Sequence, residues 1–221
     1  MNIKEIQSLT TTKGRVEHGL CLVEGAKLVN EHRGRATQIF QRGNAPAVIF
    51  NKIAAFDTDI IATVPIPVST EHTTPFLILD RIQDPGNLGT ILRTASAFNF
   101  NTIYLIDCAD PWSQKSIRSA MGAQFHLNIH KYNPDHIKGS TIYIADLNGT
   151  PLSAIKPTAP FGIIMGNEGR GVSAELKRLP HQVVTIPIKN VESLNVAVAG
   201  GIIMHSFIWG LSPPNPREPN A

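Results

Sequence analysis

The chain has 221 residues, 42% of them hydrophobic and 17% charged, with a formal net charge of +3. That length holds one large domain or a small one joined to a medium one, and the composition excludes wholesale disorder. Its two cysteines, Cys21 and Cys108, are too few for a disulfide framework and fit a reducing compartment.

The N-terminus, MNIKEIQSLTTTKGR, lacks the apolar core of a secretory signal, and a cytoplasmic location is expected. Helical patterns cover Asn2–Leu9 and Gly25–His32, and short strand-like runs fall at LCLV, TQIF and AVIF. Residues 1 to 56 carry eight basic groups against four acidic ones, a net +4 that exceeds the charge of the whole chain. This bias marks either a phosphate-binding surface or an ordinary solvated face. The stretch VPIPVSTEHTTP, rich in prolines and threonines, sets a boundary near Ile66 to Pro75.

Beyond Pro75, apolar β-branched runs recur at FLILD (76–80), TIYLID (102–107), TIYIAD (141–146), FGIIM (161–165) and VVTIPI (183–188). Helical patterns separate them at Asn87–Phe98, Gln114–Gly122, Ser173–Leu179 and Leu194–Gly210. Alternating strands and helices, with strands apolar throughout, predict an α/β fold with a parallel sheet covered on both faces. Ser193 to Leu211 contains no Asp, Glu, Lys or Arg, close to the roughly 20 residues of a membrane span. Its polar residues and three glycines favour a buried helix of a soluble domain. The tail SPPNPREPNA (212–221) has four prolines and is expected to be disordered.

Three segments could carry chemistry. In DRIQDPGNLGTILRTASAF (80–98), Pro85–Gly86 makes a turn after a strand, and Asn87 is placed to cap a helix. Leu88, Ile91, Leu92 and Ala95 form its buried stripe. Gly89 and Arg93 share another face, where the glycine leaves room for a ligand or a backbone. The strand's carboxyl end is where open α/β sheets bind ligands.

GNEGRGVS (166–173) has the glycine order G-x-x-G-x-G, unlike the dinucleotide fingerprint, and no Walker sequence occurs anywhere. Glu168 within it is either a solvated turn residue or a polar contact to a ligand. In IPIKNVESLNVAVAGGIIMH (186–205), Ser193 is expected as the N-cap. Asn195, just inside an apolar helix, needs hydrogen-bond partners. Gly200–Gly201 in mid-helix suggests close packing of another backbone.

Taken together, DPGNLGTILRTA, GNEGRGVS and IPIKNVESLNVAVAGGI resemble, in order and spacing, the three signature motifs of the SpoU/TrmH family of SPOUT-class RNA 2′-O-ribose methyltransferases. KSIRSAMGA (115–123) resembles the segment that the family places between the first two motifs. KGRVEHGLCLVEGAKLVNE resembles the family's small RNA-binding domain, related to ribosomal protein L30e and shortened here before Pro75.

The resemblance implies a small L30e-like domain over residues 1–72 with RNA contacts at Lys13, Arg15 and Lys27. A SPOUT methyltransferase domain would follow over 73–211, its C-terminal segment threaded into a deep trefoil knot. S-adenosylmethionine would bind in the knot through backbone groups near Leu147, Gly166, Ile186 and Leu194. The working form would be a homodimer, with no metal and no membrane association. Lys189–Asn190 departs from the glycine of many relatives, although Asn tolerates left-handed φ.

The reaction so implied moves a methyl from a sulfonium to a ribose 2′-OH. The protein must align the reacting atoms and assist loss of the hydroxyl proton. Arg93 corresponds to the family's hydroxyl-activating arginine. A guanidinium stays protonated near neutral pH, so holding phosphate and stabilising a developing alkoxide is the physically easier role. Asn87 and Glu168 would position Arg93 and the ribose, with Glu168 as the alternative proton acceptor. Ser193 and Asn195 would hold the loop and contact the target nucleotide. The L30e-like arm favours 23S rRNA over tRNA, by analogy alone. The alternatives are a tRNA 2′-O-methyltransferase of the same family and a non-catalytic RNA-binding or ribosome-assembly protein. An oxidoreductase fails on the glycine order.

Overall fold

A computed structural model describes residues 1–210; the predicted Pro-rich tail (212–221) lies outside the described residues. In chain order the elements are helices α1 (Ile3–Ser8) and α2 (Thr12–His18), strand β1 (Leu20–Glu24), helix α3 (Ala26–Glu31), and strands β2 (Gln38–Gln41) and β3 (Ile60–Pro65). Then follow β4 (Phe76–Asp80), α4 (Pro85–Ala97), β5 (Thr102–Ile106), α5 (Gln114–Ala120), β6 (Asn128–Lys131), β7 (Thr141–Pro151), β8 (Phe161–Met165), β9 (Gln182–Thr185) and α6 (Val196–Trp209).

The chain divides into two compact units. The first comprises Met1–Thr70, Gln83–Arg93 and Ala109–Leu127, and the second Glu71–Ile82, Thr94–Cys108 and the described residues from Asn128 onward. The first unit holds an antiparallel sheet in the order β1-β3-β2. Cys21, Val23, Ala62 and Val64 pack with Leu28 and Val29 of α3, Ile117 of α5, and Phe125. Strand β3, IIATVP, is buried at its first five positions. The run AVIF forms no strand. Ile49–Ile53 is a single π-helical turn, and burial of Ile49, Phe50 and Ile53 follows helical spacing, which a four-residue apolar run cannot reveal.

Within this unit α4 and α5 approach closely at Gly89. A Cβ there would lie 2.5 Å from the Ser116 carbonyl oxygen and 2.9 Å from the Ala120 nitrogen. The room beside Arg93 is thus filled by backbone. The helix is capped by Asp84 rather than Asn87: α4 begins at Pro85, and the Asn87 N–H donates to Asp84 Oδ1 at 2.8 Å. Proline, with no N–H to satisfy, fits the first turn and moves the start two residues earlier. Leu88, Ile91, Leu92 and Ala95 are fully buried, as the periodicity requires.

The second unit holds an all-parallel six-stranded sheet in the order β6-β5-β4-β8-β7-β9. The predicted α/β parallel sheet is present. One face buries Phe76, Ile78, Tyr104, Ile144 and Ile164. Alternation sends Leu77, Tyr143 and Ile163 to the other face, where Phe207 of α6 meets the Tyr143 ring edge-on at 5.0 Å. The expected helix over Ser173–Leu179 shrinks to a 3₁₀ turn at Leu176–Arg178, because Pro180 stops its propagation. Strand β9 ends at Thr185, so Ile186 to Ile188 leave the ladder. Strand order turns outward in both directions from β4, a switch point of the kind that leaves a crevice at strand carboxyl ends.

Candidate functional site

A cavity of about 380 Å³ lies in the second unit, at the carboxyl ends of β8 and β9 and beside residues 145–147 of β7. Leu147, Gly166, Ile186 and Leu194, the four positions expected to face a cofactor, all line it. Glu168 and Ser193 line it as well. Ile188, Val196 and Ile203 give it an apolar wall, while Asp146 and Lys177 supply a charged end. An apolar wall set beside polar and charged groups suits a nucleoside-sized ligand.

Hydrogen bonds to the preceding motif shape the glycine-rich loop. Asn167 and Gly171 exchange backbone bonds at 3.2 and 2.8 Å, closing a small hairpin. Asn167 Oδ1 accepts from the N–H groups of Gly169 and Arg170, each at 3.0 Å, while its Nδ2 donates to the Arg81 carbonyl at 2.9 Å. Gly171 takes a left-handed φ of 64°. Asp80, fully buried at the end of β4, accepts from the Ser173 N–H at 2.6 Å and from Arg81 Nε at 2.8 Å. Arg81 also donates to the Gly171 carbonyl at 3.2 Å.

Asn195 lies one residue before α6 and is its N-cap, the position expected for Ser193. Its Oδ1 accepts from the Ala197 and Val198 N–H groups at 2.9 and 3.3 Å, the partners that its amide needs. Ser193 is exposed, in the loop before the cap. Asn190 has a φ of 65°, so the departure at Lys189–Asn190 keeps a left-handed turn without glycine. Gly201 faces no backbone: a Cβ there would meet only the Thr94 methyl, at an ordinary 3.5 Å.

Asn87 and Arg93 belong to the first unit, where Arg93 is exposed and Asn87 half-buried. Lys13 and Lys27 are exposed, as an RNA-contacting role requires. Arg15 is not. It is 4% exposed, and its guanidinium donates to Asp110 at 2.7 and 3.0 Å and to the Leu9 carbonyl at 2.7 Å. Its charge is spent inside the unit, which leaves it no open face for a phosphate. Among the described residues no group of three or more His, Cys, Asp or Glu is arranged to hold a metal ion. None of the described helices is long and apolar enough to cross a membrane.

Residues 74–205 match the sequence profile of the SpoU rRNA Methylase family. The chain belongs to that family. Among its relatives is the 23S rRNA (guanosine(2553)-2′-O)-methyltransferase RlmP of Bacillus subtilis, 31% identical over 92% of this chain and 94% of that protein. Two solved structures resemble this SpoU-family chain in fold. One is an AdoMet-bound rRNA methyltransferase from Sinorhizobium meliloti, with TM-score 0.79 and 27% identity over 91% of this chain and 92% of the other. The second is described as an RNA methyltransferase of the TrmH family from Porphyromonas gingivalis, with TM-score 0.81 and 30% identity over 93% and 96% of the two chains.

Asp80, Arg81, Asn167 and Asp146 join this SpoU-family site in the structure without having been among the residues expected there. Asp80 and Arg81 stand in the quoted first motif, and an acidic residue ending an apolar strand was a usable signal. Asp146 follows β-branched residues in the same way. Its neighbour Leu147 was identified only through resemblance.

Proposed function

We propose that this chain is an S-adenosylmethionine-dependent RNA methyltransferase that methylates a ribose 2′-hydroxyl, with 23S rRNA as its substrate. The observation that carries the proposal is the convergence of Leu147, Gly166, Ile186 and Leu194 on one cavity. Family membership supports the activity, and likeness to the B. subtilis enzyme supports 23S rRNA over tRNA.

The cofactor supplies a methyl group activated on a sulfonium. The apolar wall of Ile188, Val196 and Ile203 would hold its base, and loop backbone near Gly166 and Leu194 its polar edges. Methyl transfer makes a C–O bond, breaks the S–C bond and releases the hydroxyl proton. Glu168, exposed at the cavity, is the natural acceptor of that proton. Arg93 keeps its own proton and holds the phosphate beside the target ribose while stabilising the forming alkoxide. Asn87 positions the Arg93 helix turn, and Ser193 and Asn195 fix the loop that meets the target nucleotide.

RNA contact through the basic first unit, with Lys13 and Lys27 as exposed cations, belongs to the same proposal. So do the domain division at residues 72/73, with Gln83–Arg93 and Ala109–Leu127 returning to the first compact unit, the knotted threading of the C-terminal segment, and action in the cytoplasm. Homodimerisation is supported by α6, whose exposed face carries Val198, Ile202 and Trp209 at 53%, 39% and 50% exposure. A helix apolar on every side is expected to be covered.

The test is methylation of total RNA with isotope-labelled cofactor, followed by mapping of the modified ribose. Label in 23S rRNA at one 2′-O position is the expected result. A product in tRNA alone overturns the substrate, and no labelled RNA at all overturns the activity.

A further inference from the structure

Strand β7 is not regular. Ala145 and Thr150 both pair with Val184 of β9, so residues 146 to 149 are looped out of the ladder. The backbones close up behind the bulge, where a Cβ on Gly149 would lie 2.7 Å from the Val183 carbonyl oxygen. Thr185 Oγ1 donates to the Leu147 carbonyl at 2.9 Å and pins the loop. A bulge of this kind re-aims side chains, and here Asp146 and Leu147 line the cavity.

The Asp146 carboxylate is held from two sides. Oδ1 accepts from the Leu147 N–H at 2.7 Å, and Oδ2 accepts from Lys177 Nζ at 3.0 Å. Its side chain is 31% exposed, against 45% for Lys177. Desolvation pushes its pKa up, but the Lys177 ammonium and the Leu147 and Asn148 N–H groups outweigh this and hold it below the usual carboxylate value. It is therefore an ionised acceptor at neutral pH. A carboxylate has about four lone-pair sites, and the hydrogen bonds from Leu147 and Lys177 take one on each oxygen, which leaves acceptor capacity for a ligand.

We propose that Asp146 is the ribose-recognition residue of this cavity, its two carboxylate oxygens accepting the 2′- and 3′-hydroxyls of a bound adenosine moiety. A vicinal diol offers two adjacent O–H donors, which match two adjacent anionic acceptors. Acidic residues at strand carboxyl ends serve ribose hydroxyls in other α/β sheets. Lys177 is a positioning residue, which fixes the carboxylate rotamer and balances its charge. The inference rests on the cofactor assignment of the same cavity. It adds a side-chain contact to a site otherwise expected to work through backbone groups.

Calorimetric titration of the full chain tests it with three probes: S-adenosylhomocysteine, 5′-methylthioadenosine, and 2′,3′-dideoxy-5′-methylthioadenosine. Asp146→Ala should weaken the first two by about ten- to a hundredfold, the weight of hydrogen bonds to a charged group, and leave the dideoxy compound unchanged. Asp146→Asn, which keeps an acceptor for the Leu147 N–H, guards against a collapsed loop. It should show a smaller loss with the same selectivity for the diol. Equal loss for all three probes, or no loss, overturns the proposal. Loss confined to S-adenosylhomocysteine overturns it too, since the Asp146–Lys177 pair would then read the amino-acid end. Wild-type protein that binds none of the probes removes the cofactor assignment itself.

Discussion

Asp80 and Ser173 are joined across two motifs by a 2.6 Å hydrogen bond, with the Ser173 N–H donating to a fully buried carboxylate. The same carboxylate holds Arg81, whose guanidinium continues to the Gly171 carbonyl. The end of β4 therefore dictates where the glycine-rich loop sits. Asp80→Ala would strip the acceptor from both groups, although Arg81, 30% exposed, can turn to water. The expected loss is about 2–4 kcal/mol, below the full cost of an uncompensated buried ion. Urea unfolding measures it, and S-adenosylhomocysteine affinity should fall in parallel. An unchanged midpoint would show that the loop holds itself.

Arg93→Ala separates binding from chemistry. Arg93 does not line the cavity, so cofactor affinity should stay within about twofold of wild type. Loss of one charge-stabilising donor costs about 10²–10³ in rate. Single-turnover methylation of RNA, set beside calorimetry, reads both quantities. Turnover at the wild-type rate would sink the assignment.

The parts legible in the sequence are those governed by local periodicity. The strands of the parallel sheet and the stripe of Leu88, Ile91, Leu92 and Ala95 follow from burial on both faces and on one face, respectively. Less legible were features decided by contacts distant in sequence. Arg15 reads as a free cation until Asp110 arrives from 95 residues away. The run AVIF reads as β until its neighbours Asn51 to Ile53 complete a helical turn. The bulge that presents Asp146 exists only because β9 pairs twice through Val184, and no periodicity in TIYIADLNGTP signals it. The capping of α6 was off by two residues, since Ser193 and Asn195 are both good caps and only geometry separates them.

The exposed face of α6 makes a test of assembly. Val198 and Ile202 lie one turn apart and are exposed in the single chain. If a second copy covers them, Val198→Glu should place a charge in an apolar interface and shift the protein to monomer in sedimentation velocity. The fold itself should persist, with far-ultraviolet dichroism unchanged. A wild-type chain that sediments as a monomer at tens of micromolar, an order of magnitude above about 1 μM, would remove the dimer.

Gly89 offers a steric test inside the first unit. A Cβ at this position would stand 2.5 Å from the Ser116 carbonyl oxygen and 2.7 Å from the Ser119 Cβ. Alanine is the better helix former, yet Gly89→Ala must push α4 and α5 apart. Overpacking typically costs about 1–3 kcal/mol, more than the propensity gain of about 1 kcal/mol. Thermal unfolding should therefore show a lower midpoint. A raised midpoint would mean that the two helices have slack.

His32 links the first unit's stability to pH. It is 2% exposed, its ring packs 4.2 Å from that of Phe125, and its Nε2 has no hydrogen-bond partner. Burial pulls its pKa below 6.5; Glu31 opposes the shift, while Arg35 and His126 add to it. The folded state thus binds the proton less readily than the unfolded chain, and stability rises with pH wherever the unfolded state carries more protons. The contribution is fully present above the unfolded value of about 6.5 and is lost as pH falls from there through the lower folded value. Urea midpoints taken from pH 8 down to pH 5 should fall in the wild type. In His32→Gln, which cannot titrate, the curve should be flatter over the same range. Parallel curves for the two proteins would place the proton uptake at another group.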